Sequence, residues 1–450
     1  MVLALRTSEP AGASPGPAYH IGPGLSPTGS RSPQSQHGDN PYQYFQHQPK
    51  NRSMFQTLKQ IWPTLWPTLS AIGVILAFVP LLGLYMTFIE RKLAAYVQDR
   101  IGPNRVGPFG LFQAIADGIK IFLKEQIIPD HVYTFLYFIA PSFSLMTAMF
   151  ALVVMPFGPV PTEYSGGFRF IVAPGIDIGI MMMIAISSLS AYGIILGGWA
   201  SNNKYSLYGA IRSCAQFISY EIPLGLSIIG VIAAAGSLNI EQIVSAQGGD
   251  IWNWNVFWQP LALLVFFTSA LAETNRLPFD LAECEQELVG GFHTEYGGIK
   301  FVLFFLAEYT HVVTVSFLTV LLFFGGWHAP FLTGPVDGTV GGMLLRTFVL
   351  VFKVSLVVAL IMLLRWSLPR FRFDQLMGLA WKGLIPLGLL NLLCVAVVLT
   401  LDLPKHYLAL TALFLIAGSM ISVRHMDLTI NRPRSEGRPS TDMNLTESAI

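Results

Sequence analysis

Cysteine is nearly absent. The three in this 450-residue chain, Cys214, Cys284 and Cys394, lie far apart and match no CxxC or Cys/His ligand spacing. That excludes an iron–sulfur cluster ligated by this chain and leaves no disulfide framework. Charge is scarce as well. Lys, Arg, Asp and Glu make up 12% of the residues, against about 25% in an ordinary globular domain. Neither sign dominates, and a formal net charge of +1 leaves no basic excess to neutralise phosphates, which excludes a nucleic-acid binder. No P-loop or GxGxxG fingerprint stands between a strand and a helix, so redox or nucleotide chemistry must come from partners.

Apolar sequence is what the chain has in excess, at 53% of residues. It is arranged in runs at roughly 65–89, 132–157, 176–197, 216–236, 257–273, 299–324, 342–364 and 383–401, judged against the ~20 residues needed to cross a bilayer. A shorter run, Leu408 to Val423, is a candidate ninth. The pattern predicts an all-α polytopic membrane protein, a bundle of eight or nine tilted transmembrane helices. Residues 1–53 are rich in Pro, Gly, Ser and Gln and read as a disordered tail. They make a poor secretory signal, because the apolar start MVLAL is short and Arg6 follows it. The bundle is expected over 54–404, the ninth span over 405–424 and a cytoplasmic tail over 425–450.

Basic residues set the orientation. The loop after the first span holds Arg91, Lys92, Arg100, Arg105, Lys120 and Lys124. Those after the third and fifth hold Lys204, Arg212, Arg276 and Lys300, and the loop after the seventh holds Arg365, Arg370, Arg372 and Lys382. The intervening loops carry only Arg169, Arg346 at a span edge and Lys405. Odd-numbered loops are therefore expected in the cytoplasm and the N-terminus outside. Lys50, Arg52 and Lys59 run against this and are outvoted; Arg424, Arg432, Arg434 and Arg438 agree with it if the ninth run spans.

Two polar stretches break the apolar pattern. In the first, Glu90 to Asp130, the pairs Gly102-Pro103 and Gly107-Pro108 are turn signals that hold Arg100 and Arg105 in a compact loop. Downstream, Phe112, Ile115, Ile119, Phe122 and Leu123 share one helical face, with Asp117, Lys120 and Lys124 on the other. This spacing predicts an interfacial amphipathic helix lying along the bilayer. It is either a surface anchor or a side door for a lipid-soluble molecule.

The second stretch, ETNRLPFDLAECEQELVGGFHTE, places six carboxylates between Glu273 and Glu295 with Arg276 as its basic residue. If Pro278 opens a helix, Asp280, Glu283 and Glu287 follow at i, i+3 and i+7 on one face. Like charges packed so raise each other's pKa, as a proton-handling site requires; the alternative is a solvated loop helix. Inside or closing the spans stand Glu221, Glu273, Glu308 and Lys353. Each such group costs about 2.5–3.5 kcal/mol at a helix centre, so they mark proton paths or interhelical hydrogen bonds. His311, three residues after Glu308, is a neighbour on the same face.

The motifs ERKLAAYVQDRIGPNRVGPFG, IADGIKIFLKE, FISYEIPLGLS, ETNRLPFDLAECEQELVGGFHTEYGGIKF, FFLAEY and RWSLPRFRFDQLM follow in this order. Together, over about residues 62–401, they resemble the H-type membrane subunit (subunit 1 in mitochondria) of proton-pumping NADH:quinone oxidoreductase, respiratory complex I. The resemblance implies a multi-pass subunit of a bacterial inner membrane at the heel of the membrane arm, shaping the chamber that ubiquinone or menaquinone enters from the bilayer. It implies that Glu221, Glu273, Asp280, Glu283, Glu285, Glu287, Glu308 and Lys353 serve proton coupling. Arg91, Asp99, Arg100, Arg105, Phe112, Phe122 and Arg276 would line the quinone chamber or dock the hydrophilic arm. It implies no cofactor on this chain: quinone is the substrate, and FMN, iron–sulfur clusters and NADH belong to partner subunits. Hydrophilic quinone-site subunits, small membrane-arm subunits and lipid are the implied partners. The long N-terminal tail, the optional ninth span and Cys284, where a small residue such as Ala is expected, depart from the pattern. Two rivals are the homologous subunit of a membrane-bound hydrogenase-type complex and a self-contained ion transporter. The intact loops favour the quinone enzyme, and the chain lacks the inverted repeats with broken span pairs that mark transporters.

Overall fold

The computed structural model describes residues 54–159, 176–281, 288–330, 332–333 and 340–430. The tail expected over 1–53, most of the tail expected over 425–450, and Glu283, Cys284, Glu285 and Glu287 lie outside the described residues. The chain divides into two units, Met1–Lys59 and Gln60–Ile450. In the first, the described residues are helical; the second holds the bundle.

Lipid offers no hydrogen bonds to a backbone, so each apolar run folds as a helix, and no strand occurs among the described residues. In chain order these are α1 (Met54–Val97), α2 (Gln113–Leu123), α3 (Thr134–Val153), α4 (Gly179–Ser188), α5 (Ser190–Ala200), α6 (Lys204–Ala235), α7 (Ile240–Ala246), α8 (Asn255–Trp258) and α9 (Pro260–Glu273). Then come α10 (Ile299–Phe323), α11 (Val340–Ser367), α12 (Phe373–Thr400) and α13 (His406–Ile430). Six spans among the described residues are long and apolar enough to cross a membrane: α3, α4 with α5, α6, α10, α11 and α12. The chain is thus an all-α polytopic membrane protein. Shorter apolar helices are α9 and the part of α13 over His406–Met420. α9 starts at Pro260 rather than 257 because Gln259 leaves helical geometry and proline, lacking an N–H, takes the first helical position.

Packing follows small residues. α6 approaches the turn Gly291–His293 so closely that a Cβ at Gly209 would stand 2.8 Å from the Gly291 Cα. One core cluster gathers Ile180, Met183, Ile228, Phe266 and Phe323. A second joins Tyr220, Phe279 and Leu376 and pins the segment after α9 against α6 and α12.

The first loop is as compact as its Gly-Pro pairs imply. Asp99 turns the chain at φ 55°, and Lys92 Nζ donates to the carbonyls of Pro103 (2.9 Å) and Phe109 (3.1 Å). Gly110 sits at φ 83°, where a Cβ would lie 2.2 Å from the Pro103 oxygen. Gly110→Ala is therefore expected to cost at least about 1–3 kcal/mol, checked as a lowered thermal midpoint and faster proteolysis within 99–112. α2 rests on α1 through Ala114, which is fully buried, and Gly118, whose Cβ position is 3.7 Å from Leu84. Its apolar residues Ile115, Ile119, Phe122 and Leu123 are exposed, as a helix in the bilayer interface requires.

The helix expected to open at Pro278 does not form there; Thr274–Leu281 runs as turns. Tertiary partners take up its backbone acceptors instead. Gln216 Nε2 of α6 donates to the carbonyls of Ala272 (2.8 Å) and Phe279 (2.9 Å), and the Phe371 amide donates to Pro278 O (3.2 Å). Asp280 therefore stands on a folded turn, not on a helical face.

Candidate functional site

A carboxylate buried in a bundle needs compensating partners, and Glu90 near the end of α1, only 5% exposed, has three. Arg365 of α11 forms an ion pair and hydrogen bond with it, and the Tyr309 hydroxyl of α10 donates to it. Arg276, from the turn after α9, brings Nη1 to 3.7 Å. The Arg276 guanidinium also lies over the Tyr309 ring at 4.1 Å, a cation–π contact. Burial works against the Arg276 charge, yet Tyr309, Glu90 and Glu308 outweigh it and push its pKa above the usual arginine value. Arg276 is thus a buried counter-ion, 8% exposed, rather than a surface docking group.

Around Tyr309 on α10, Phe304, Ala307, Glu308 and His311 recur at i, i+3, i+4 and i+7 and share a face. They line a cavity together with Glu273 at the end of α9, Ser144 of α3 and Ser190 of α5. Its volume is about 20 Å³, room for roughly one water molecule. Glu273 lies near Ser187 and feels the charge of Glu221. Glu221 of α6 accepts a hydrogen bond from Ser188 of α4. Ionisable groups thus run from α6 through α9 to α10, and Arg276, which feels Glu308, joins them to Glu90. Such a series can hold protons and transmit a change of charge across the bundle.

The other expected site residues lie apart from this series. Asp280 is buried and paired with Arg370 Nη2 at 3.1 Å. Lys353 Nζ donates to three carbonyls in the turn after α10, those of Phe324 (2.8 Å), Gly326 (3.1 Å) and His328 (2.6 Å). It also lies 4.2 Å over the Trp254 ring. Arg91 pairs with Asp117 of α2. Burial alone would raise the Asp117 pKa, but hydrogen bonds from Arg91 and Gln113 outweigh it and hold the carboxyl below its usual value. Asp99, Arg100 and Arg105 are exposed on the first loop, with Arg100 Nε 2.8 Å from Gln98 Oε1. Phe112 and Phe122 are exposed at 49% and 73%. Among the described residues no three His, Cys, Asp or Glu side chains gather as a metal site.

Sequence reasoning missed Glu90, Tyr309 and Arg365 as site residues. Each nonetheless stands in a motif of the resemblance: Glu90 at the head of ERKLAAYV, Tyr309 at the end of FFLAEY and Arg365 at the head of RWSLPR.

A family model described as NADH dehydrogenase matches residues 70–396, which contain every residue of the Glu90 group and of the cavity. The NADH-quinone oxidoreductase H subunit of Leptospira biflexa is 50% identical over 339 residues, 72% of this chain and 93% of that protein. Its counterpart from Protochlamydia amoebophila is 47% identical over 312 residues, 69% of this chain and 91% of that protein. The NADH-quinone oxidoreductase subunit 8 of Rhodothermus marinus is 44% identical over 342 residues, 74% and 97% of the two chains.

Proposed function

This chain belongs to the NADH dehydrogenase family, as an H-type membrane subunit of NADH-quinone oxidoreductase, and from that premise we propose that it forms the quinone entry chamber and couples quinone reduction to proton translocation. The observation that carries the reading is the cavity shared by Glu273 and Glu308, next to an arginine held by a second buried carboxylate. In a membrane, such groups are retained at a cost that proton movement justifies.

The exposed apolar face of α2, with Phe112 and Phe122, offers the quinone's isoprenoid tail an apolar approach beside α1. Reduction takes two electrons and two protons to quinol. The electrons come from iron–sulfur clusters in a partner subunit, fed by FMN and NADH elsewhere in the complex. Negative charge arriving at the headgroup acts on the acidic segment of Asp280, Glu283, Glu285 and Glu287 and on Arg276. The change passes to Glu308, Glu273 and Glu221 and into the membrane arm. The exposed loop with Asp99, Arg100 and Arg105, adjoining Arg91, docks the hydrophilic subunits. The loop charges support an N-terminus outside a bacterial inner membrane, with α13 as a ninth span.

Glu273→Gln and Glu308→Gln remove the titrating proton while keeping shape. In inside-out membrane vesicles, each is expected to lower NADH-driven proton pumping by about tenfold or more, with complex content on native gels unchanged. Wild-type pumping in both variants would sink the reading.

A further inference from the structure

We infer that His311 is a positioning residue for proton transfer, holding a water molecule between Glu273 and Glu308. The inference rests on the coupling role proposed for those two carboxylates. His311 is 8% exposed, lines their cavity, and its Nε2 has no hydrogen-bond partner. A buried ring nitrogen left so costs free energy, which a water in contact with it relieves. The cavity meets both conditions for keeping a water. It has space for about one, and its wall supplies two carboxyl groups, the imidazole and the hydroxyl-bearing Ser144 and Ser190 as partners. An apolar void of this size would stay dry.

The imidazole orients this water and does not itself carry the proton. A protonated Glu273 gives its proton to the water as the water gives one to the Glu308 carboxylate. Glu273 is left as a carboxylate, Glu308 as an acid, the water and His311 as they began. Helical spacing sets the geometry: His311 follows Glu308 by three residues, so both meet the cavity from one face of α10.

A histidine kept only for packing and one kept for the water predict opposite orders of damage. For packing, leucine fills the site and alanine leaves a hole, so His311→Ala is the worse. For the water, leucine expels it while alanine admits more, so His311→Leu is the worse. The whole complex in inside-out vesicles is assayed for protons pumped per NADH oxidised, with content read on native gels. His311→Leu is expected to lose on the order of tenfold in pumping and His311→Ala distinctly less. Wild-type pumping in His311→Leu, or greater loss in His311→Ala, overturns the inference. Should His311→Leu fail to assemble, His311→Gln against the near-isosteric His311→Met decides: glutamine pumps and methionine does not, and equal pumping overturns it. Glu308→Gln is run alongside. If it and Glu273→Gln both pump normally the coupling reading itself fails; if both are impaired while His311→Leu is not, only the role of His311 fails.

Discussion

Glu90→Ala is expected to strip most of the assembled complex from the membrane. The carboxylate is 5% exposed and bound to Arg365, with Arg276 at 3.7 Å. Removing one partner of a buried ion pair costs about 3–5 kcal/mol, because the remaining charge is left uncompensated. Here two guanidinium groups lose their anion together. Arg276 keeps Tyr309 and the charge of Glu308, but its Nε and Nη2 lack hydrogen-bond partners. Against a total stability of about 5–15 kcal/mol for a typical domain, such a loss is decisive. Glu90→Gln keeps hydrogen bonding to Arg365 and Tyr309 without the charge and should fall between. Because the groups touch, Glu90→Gln with Arg365→Gln should be less damaging than the sum of the two single changes. Native-gel content and the thermal midpoint of the purified complex read all three; a wild-type midpoint in Glu90→Ala would refute the argument.

In the proposed coupling route the Glu90 group would be a stability element set beside the path. Arg276 feels Glu90, Tyr309 and Glu308 at once. A charge arriving near it alters its pull on Glu308 without any large movement of backbone. The fixed ion pair with Glu90 keeps the guanidinium in place while that occurs.

Hydropathy made the spans legible because lipid demands long apolar segments, and the runs at 132–157, 299–324 and 383–401 fall on α3, α10 and α12. It marked 65–89 inside the longer α1, which runs from Met54 to Val97. Hydropathy reports where lipid ends, whereas a helix continues wherever its backbone bonds are satisfied. Glu308 and His311 were readable from local spacing on one helix. Glu90 was not, since its partners Arg276, Tyr309 and Arg365 are brought from three distant segments by tertiary packing. The same holds for Thr274–Leu281: proline and carboxylate spacing suggested a helix, and Gln216 and Phe371, both far away in sequence, take up its carbonyls instead.

Lys353→Met is expected to destabilise the bundle rather than to abolish pumping selectively. Sequence position alone, an ammonium midway along a span, pointed to proton coupling. Its surroundings point to a clamp: three carbonyls and an indole face take up the whole head group. The turn it holds has Gly325 and Gly326 at φ 69° and 52°, and a Cβ at Gly325 would stand 2.5 Å from Trp254 Nε1. Methionine matches the length of the stem and donates nothing, so each carbonyl it orphans costs about 1–3 kcal/mol. Arginine should not rescue, because a planar fork does not reproduce the three diverging donors of an ammonium. His328 supplies a second readout. Burial first, and then the charges of Arg346 and Lys353, push its pKa down to about 4. Removing the Lys353 charge lifts one of these pressures, so the His328 pKa rises toward its ordinary value. A Lys353→Met complex with an unchanged thermal midpoint and lost proton pumping would return this lysine to the proton path.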